Sequence, residues 1–147
     1  MFKNILLPTD GSPLAQKAVA LGVNLAKAVG AKVTGFVAAP PATPIIYRNH
    51  LPVGFTQPAE HEQMIAKMTA EYLGFIQQAA KAAGVPFEGT HKTDDYPADA
   101  ILDFAAKKGC DLIVMATHGS GGLRGALIGS VAQKVLNQAK IPVMTIR

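Results

Sequence analysis

Cysteine occurs once in the 147 residues, at Cys110, so no intramolecular disulfide and no cluster of cysteine metal ligands can form. Beside Gly109, at the start of an apolar run, Cys110 reads as an inert core thiol. Tryptophan is absent, and basic residues are scattered with no aromatics interleaved. That excludes the dense patch expected of a nucleic-acid surface. No run approaches the ~18 apolar residues of a membrane span, and the first residues lack the apolar core of a signal peptide. We therefore expect a cytoplasmic protein that engages neither membrane nor nucleic acid. Charge is also sparse, at 16%, against 49% hydrophobic residues. This is the balance of a packed domain rather than a disordered chain. Its length suits one domain over 1–147, and the mild excess of +4 suits an anionic small molecule.

What the chain does have is glycine, concentrated in one stretch. Asp111 to Ala116 is an apolar, β-branched run without alternation, as in a strand buried on both faces of a parallel sheet. Gly119, Gly121, Gly122, Gly125 and Gly129 follow, and then Val131, Val135 and Leu136 recur at helical spacing. Strand, glycine loop and helix start form a phosphate cradle. Ser130 sits where an N-cap belongs, and the free N–H groups of the next turn favour an anion. A Walker motif fits poorly because no lysine precedes Ser130, and the dinucleotide fingerprint fails on spacing and position.

Taken in order, Asn4 to Asp10 is a first buried strand. Helix one follows, with Ser12 as N-cap, Pro13 at its first position and Gly30 as its stop. Asp10 then stands at the carboxyl end of a central strand, where open α/β sheets bind ligands. It is either an acceptor for a ribose hydroxyl or adenine amino group, or a turn-forming residue before Gly11. Lys32 to Ala39 is strand two. Residues 40–57 hold Pro40, Pro41, Pro44 and Pro52 among apolar residues, and are either a flap, an assembly surface or a mobile loop. A long helix runs from Pro58 to about Ala83, with Met64, Ile65, Met68, Tyr72, Phe75, Ile76 and Ala79 inward and Gly84 as its C-cap. Val85 to Thr93 is an edge strand. Asp94-Asp95 before Pro97 is helix-entry chemistry in preference to a metal pair, with Asp95 the capping acid. Ile101, Leu102 and Ala105 face inward from helix three, and Ile141 to Arg147 closes the chain as a last strand. This alternation of strands and helices predicts an α/β fold, a doubly wound five-stranded parallel sheet with helices on both faces.

The spacing Gly119, nine residues, Gly129-Ser130 resembles the nucleotide-binding signature of the universal stress protein family, Gly-x2-Gly-x9-Gly-Ser. Ala116 departs from it where the first glycine belongs. Ile5 to Ser12, Gly109 to Met115, His118-Gly119 and Ile141-Pro-Val143 resemble further landmarks of that family, so the likeness covers the whole chain. The resemblance implies strand order 3-2-1-4-5, a homodimer, and membership of the ATP-binding branch. It implies that Val37 touches adenine through its backbone. On these grounds the expected nucleotide site comprises Pro8, Thr9, Asp10, Val37, Met115, Ala116, His118, Gly119, Gly122, Arg124, Gly129, Ser130 and Val131. ATP is the expected ligand, with Mg2+ entering only as the nucleotide's companion.

Three functions remain: an ATP-binding stress-response regulator, a slow ATPase or other nucleotide-dependent enzyme, and a scaffold that binds no nucleotide. His118 is either a base or a hydrogen-bonding strand-end residue, and Arg124 either a phosphate contact or a solvated loop charge. No positioned base, acid and metal clamp can be assembled from the spacing, which favours the regulator. The last strand carries no charge over Val143 to Ile146. As an edge it invites antiparallel pairing of residues 142–147 with a second copy.

Overall fold

Five strands of the computed structural model lie parallel in one sheet. β1 (Asn4–Pro8) leads through α1 (Pro13–Val29) to β2 (Lys32–Ala39). An antiparallel ribbon, β3 (Ile46–Arg48) with β4 (Leu51–Val53), precedes α2 (Pro58–Ala83) and β5 (Phe87–Thr93). α3 (Pro97–Lys107), β6 (Leu112–Ala116), α4 (Ser130–Gln138) and β7 (Val143–Ile146) complete the order. The sheet runs β5-β2-β1-β6-β7, which is 3-2-1-4-5 when its own strands are numbered along the chain. The structure describes residues 1–42, 57–119 and 128–147, and the paired backbones of 46–48 and 51–53.

Alternation within apolar runs builds both faces at once. Ile5 and Leu7 of β1 meet Val19 and Val23 of α1 and Ile76 and Ala80 of α2. Leu6, between them, meets Ile101 and Ala105 of α3 and Val135 of α4 on the opposite face. β6 repeats the division, with Leu112 and Val114 on the first face and Ile113 and Met115 on the second. Each such side chain contributes about 1.5–3 kcal/mol when fully buried. Cys110 joins the second cluster, and burial pushes its thiol pKa up to about 11, as an inert core thiol requires.

The helix ends follow the sequence. Ser12 Oγ accepts the Ala15 N–H at 3.2 Å, while Gly30 and Gly84 close α1 and α2 at φ 71°. Two expectations, for α2 and for the entry to α3, need correction, and the 40–57 connection gains two short strands that the sequence did not suggest. The 40–57 connection contains the β3–β4 ribbon, where Pro52 is tolerated because a two-stranded ribbon has only edges; its apolar side chains lie outside the described residues. Met64 and Phe75 are exposed on α2, whose buried stripe is His61, Ile65, Thr69, Ile76 and Ala80. Periodicity missed this because the two polar members are satisfied by backbone carbonyls: Thr69 Oγ1 donates to Ile65 O at 2.7 Å, and His61 Nε2 bonds Pro40 O at 3.0 Å. At the entry to α3 it is Asp94, not Asp95, whose Oδ1 accepts the Tyr96 N–H, at 2.9 Å.

The ladders show where the sheet opens. β1 pairs with β2 as far as Pro8↔Phe36, and β6 with β7 as far as Ala116↔Ile146, but β1 and β6 pair only at Ile5↔Leu112 and Leu6↔Ile113. Beyond Leu6 the two central strands part. This is also where successive strands stop adding on one side of β1 and begin on the other, the switch point at which such sheets bind ligands. Among the described residues no helix is long and apolar enough to cross a membrane.

The packing predicts opposite effects for one substitution at two helical glycines. A Cβ at Gly22 would press into the side chain of buried Leu7, whereas one at Gly74 meets nothing within 4 Å. Gly74→Ala should gain about 1 kcal/mol of helix propensity. Gly22→Ala should lose that gain and more to overpacking, which costs about 1–3 kcal/mol. Urea denaturation checks the order; a Gly22→Ala protein more stable than the parent would contradict this packing of α1 on β1.

Candidate functional site

The parted strand ends enclose a cavity of about 650 Å3. Pro8, Thr9 and Asp10 enter it from β1, and Met115, Ala116, His118 and Gly119 from β6. Gly129, Ser130 and Val131 enter from the start of α4. The expected site residues are thus brought together, with three exceptions. Gly122 and Arg124 lie outside the described residues. Val37 is buried and does not line the cavity; β2 contributes Ala38 instead. Side chains alternate along a strand, so Ala38 falls with Phe36 on the α3–α4 face, and Val37 falls on the other.

Asp10 has the turn-forming role that its position suggested, and its carboxylate also lines the cavity. Gly11 turns the chain at φ 75°, its N–H donates to Thr9 Oγ1 at 3.1 Å, and the Ser12 N–H donates to Asp10 Oδ1 at 3.0 Å. These two local bonds fold the turn. The other carboxylate oxygen, Oδ2, lies directly over Gly119, in space that a Cβ there would occupy. The carboxylate therefore reaches across the crevice from the end of β1 to the end of β6. Gly119 lacks a side chain because Asp10 stands where one would be.

Gly129 has a different reason. Its φ is −71°, open to any residue. Its N–H donates to Thr117 O at 2.6 Å, and a Cβ would sit 3.2 Å from His118 Cα and 3.3 Å from Thr117 O. The missing side chain lets α4 begin against the end of β6. Gly129, not Ser130, is the N-cap, and Ser130 is the first helical residue. The sequence assigned the cap to serine because a hydroxyl normally fills it; here the close approach of two backbone segments has taken precedence. As a result α4 has no side-chain cap, in contrast to α1. Ser130 and Val131 line the cavity at this end of α4, where a helix leaves its first N–H groups without intrahelical partners and has the positive end of its dipole.

His118 Nδ1 lies 3.0 Å from the hydroxyl of buried Thr117, so the histidine is a hydrogen-bonding residue at the strand end that also lines the cavity. The remaining wall is apolar: Ala15, Ala38, Pro97, Ile101 and Met115. Pro97 and Ile101 were missed as site residues. The available signal was their i, i+4 spacing at the start of the helix that follows an edge strand, which aims one stripe at the carboxyl end of the sheet. Lys134 of α4 bonds Asp99 of α3 at 2.7 Å, tying these two helices together beside the cavity. Gln133, also in the lining, gave no signal beyond its helical position. No group of three or more metal-ligating side chains occurs among the described residues. The site offers a carboxylate acceptor, an apolar slot, and helix N–H donors for an anion.

Comparison with known proteins places these features in a family. The model of the universal stress protein family matches residues 1–147. A universal stress protein of Thermus aquaticus is 34% identical across the whole of both chains. Universal stress protein MJ0531 of Methanocaldococcus jannaschii is 32% identical, over all of this chain and 83% of the relative. Among solved structures, the universal stress protein UspA of Lactobacillus plantarum superposes with a TM-score of 0.76 at 23% identity, covering 99% of this chain and 98% of that one. A universal stress protein in complex with cAMP gives 0.70 at 24% identity, over 99% and 97%. One from Archaeoglobus fulgidus in complex with dAMP gives 0.65 at 22% identity, over 100% and 98%.

The geometry around Gly129 carries its own prediction. Gly129→Ala should destabilise the ligand-free protein by about 1 kcal/mol, through contact with the backbone of residues 117 and 118. An unchanged urea midpoint would contradict the packing reason for this glycine.

Proposed function

The chain belongs to the universal stress protein family, and from that premise we propose that it is a regulatory protein whose ligand is ATP. The observation that carries this reading is the uncapped N-terminus of α4 facing a cavity that holds Asp10 at another wall. A nucleotide needs both ends: N–H donors and a helix dipole for its phosphates, and a carboxylate acceptor for ribose or adenine donors. In this reading the N–H groups of Ser130 and Val131 and the Ser130 hydroxyl serve the phosphates, and Asp10 serves the nucleoside. The base lies in the apolar slot beside Ala38, Ile101 and Met115, and Val37 takes part only through its backbone. Ala116, in place of the family's glycine, is part of the cavity wall. The nucleotides named for the solved relatives are both adenine nucleotides, in support of the same base. A magnesium ion would arrive with the phosphates.

Occupancy then has a route to regulation. Asp10 contacts both strand ends across the crevice, so a ligand that takes up the carboxylate changes what holds β6 and the residues after it. ATP should stabilise the fold by about 2.7 kcal/mol at a hundred times its dissociation constant. Asp10→Asn keeps the oxygen that accepts from Ser12 but removes the charge; it should weaken ATP binding while the turn is retained. No ATP-induced rise in melting temperature at millimolar nucleotide would contradict the assignment.

Binding in this reading is not turnover. His118 is bonded to a neutral hydroxyl, and a binding module needs no base there. ATP hydrolysis should therefore fall well below the ordinary range of ~1 to 10³ per second. Turnover inside that range, lost in His118→Ala, would favour an enzyme.

Assembly through β7 completes the proposal. β7 is an edge of the sheet and Met144 is 42% exposed. Pro142 O accepts the Ile113 N–H of β6, and Ile146 O accepts the N–H of Thr117 just after it. In a parallel ladder successive residues alternate sides, so Val143 and Thr145 offer their N–H groups to the open edge. A second copy would pair there antiparallel about a twofold axis. Met144→Asp with Thr145→Pro removes one outward donor and adds repulsion without touching the β6 ladder. Light scattering at micromolar concentration should report a dimer for the parent and a monomer for the double variant; a dimer in both would place the interface elsewhere.

A further inference from the structure

We propose that Tyr72, on α2, is a positioning residue that holds Asp10 in place over Gly119, and that α2 thereby controls the nucleotide site from the opposite face of the sheet. Its bearing on nucleotide binding rests on the ATP reading above; its action on Asp10 does not.

The turn from Thr9 to Ser12 has two sets of constraints. The bonds from Gly11 N to Thr9 Oγ1 and from Ser12 N to Asp10 Oδ1 fix the carboxylate relative to the turn. At its start the Thr9 N–H donates to Phe36 O of β2 at 3.0 Å, and at its end Ser12 caps α1; the apex lies between these ties. Gly11 sits at its apex at φ 75°, a conformation that suits glycine and leaves it no side chain to anchor. The apex itself is met from outside the turn. Ring carbons Cδ1, Cε1 and Cζ of Tyr72 occupy the space where a Cβ on Gly11 would project. The ring is flat and stiff, and the helix beneath it is fixed: Ile76, one turn on, is fully buried in the core. Toward the start of α2, His61 Nε2 bonds Pro40 O at 3.0 Å, just beyond the end of β2. α2 is thus held at both places, and its tyrosine bears on the most permissive residue of the turn that presents Asp10.

Removing the ring leaves a void beside a glycine hinge, and the turn relaxes into it. Asp10 then loses its place above Gly119, and the carboxylate no longer meets a nucleoside in the crevice. Because the contact uses ring carbons, phenylalanine preserves it.

The test has two arms. In the ligand-free protein, ¹H–¹⁵N spectra of Tyr72→Ala should show displaced amide signals at Ser12 and Gly119, while Tyr72→Phe leaves them in place. Gly119 is remote from Tyr72 in sequence and is reached through Asp10, so a merely local packing loss would not move it. In the second arm, Tyr72→Ala should weaken ATP binding about tenfold, equivalent to about 1.4 kcal/mol, and Tyr72→Phe by less than about twofold. In an Asp10→Asn background, Tyr72→Ala should add almost nothing, since residues that act through one another are not additive. If Tyr72→Ala does not fold, Tyr72→Leu keeps apolar bulk without the flat ring and carries both arms. An unmoved Gly119 signal in a folded ring-less variant, or a full additional loss in the Asp10→Asn background, overturns the proposal. A parent protein that binds no ATP overturns the proposed function instead, and the spectra of the ligand-free variants still decide what Tyr72 does.

Discussion

The site depends on β1 and β6 pairing near their amino ends and parting at their carboxyl ends. Ile5 and Leu6 of β1 are locked to Leu112 and Ile113 of β6, while their neighbours hold each strand from its outer side. Both strands are buried on both faces, so neither can relax to close the gap without exposing core. The open crevice is therefore a consequence of topology and packing. The features that give the crevice chemistry are attached to those two strand ends: the turn of Asp10 to one, and the close start of α4 to the other.

In the proposed function an acid and a phosphate share one site, which requires separation of charge. Asp10 belongs to the β1 end and the uncapped helix start to the residues after β6, so in that reading each would meet a different part of one ligand. Helix N–H groups hold an anion by direct bonds and partial charge, and a carboxylate on another wall accepts from hydroxyl or amino donors. The two glycines serve this division in unlike ways. Gly119 makes room for the carboxylate, and Gly129 lets α4 begin at the strand end.

Much of this was legible in the sequence. Apolar runs without alternation identified β1 and β6, and Ser12, Gly30 and Gly84 announced helix ends that the structure reproduces. Asp10, Gly119 and Ser130 were drawn into one site because the βα order makes their strand ends neighbours. What was not legible depended on contacts between segments. Gly129 looked like a ligand-facing glycine preceding a serine cap; only its distance to His118 Cα reveals a packing role. Val37 and Ala38 differ by a single step of strand alternation, and the residue that lines the cavity is set by which face α3 covers. Met64 and Phe75 lie next to the true buried stripe of α2, and periodicity alone does not choose between adjacent stripes when His61 and Thr69 are buried with satisfied polar atoms. Tyr72 gave no functional signal, since its partner, Gly11, is distant in sequence.

The most direct test of the account is a crystal structure of the protein grown with ATP. The account predicts density in the crevice between β1 and β6, with phosphate oxygens within hydrogen-bonding distance of the Ser130 and Val131 N–H groups and the nucleoside within reach of Asp10. An empty crevice at saturating nucleotide, or ATP bound with its phosphates away from the start of α4, would contradict it.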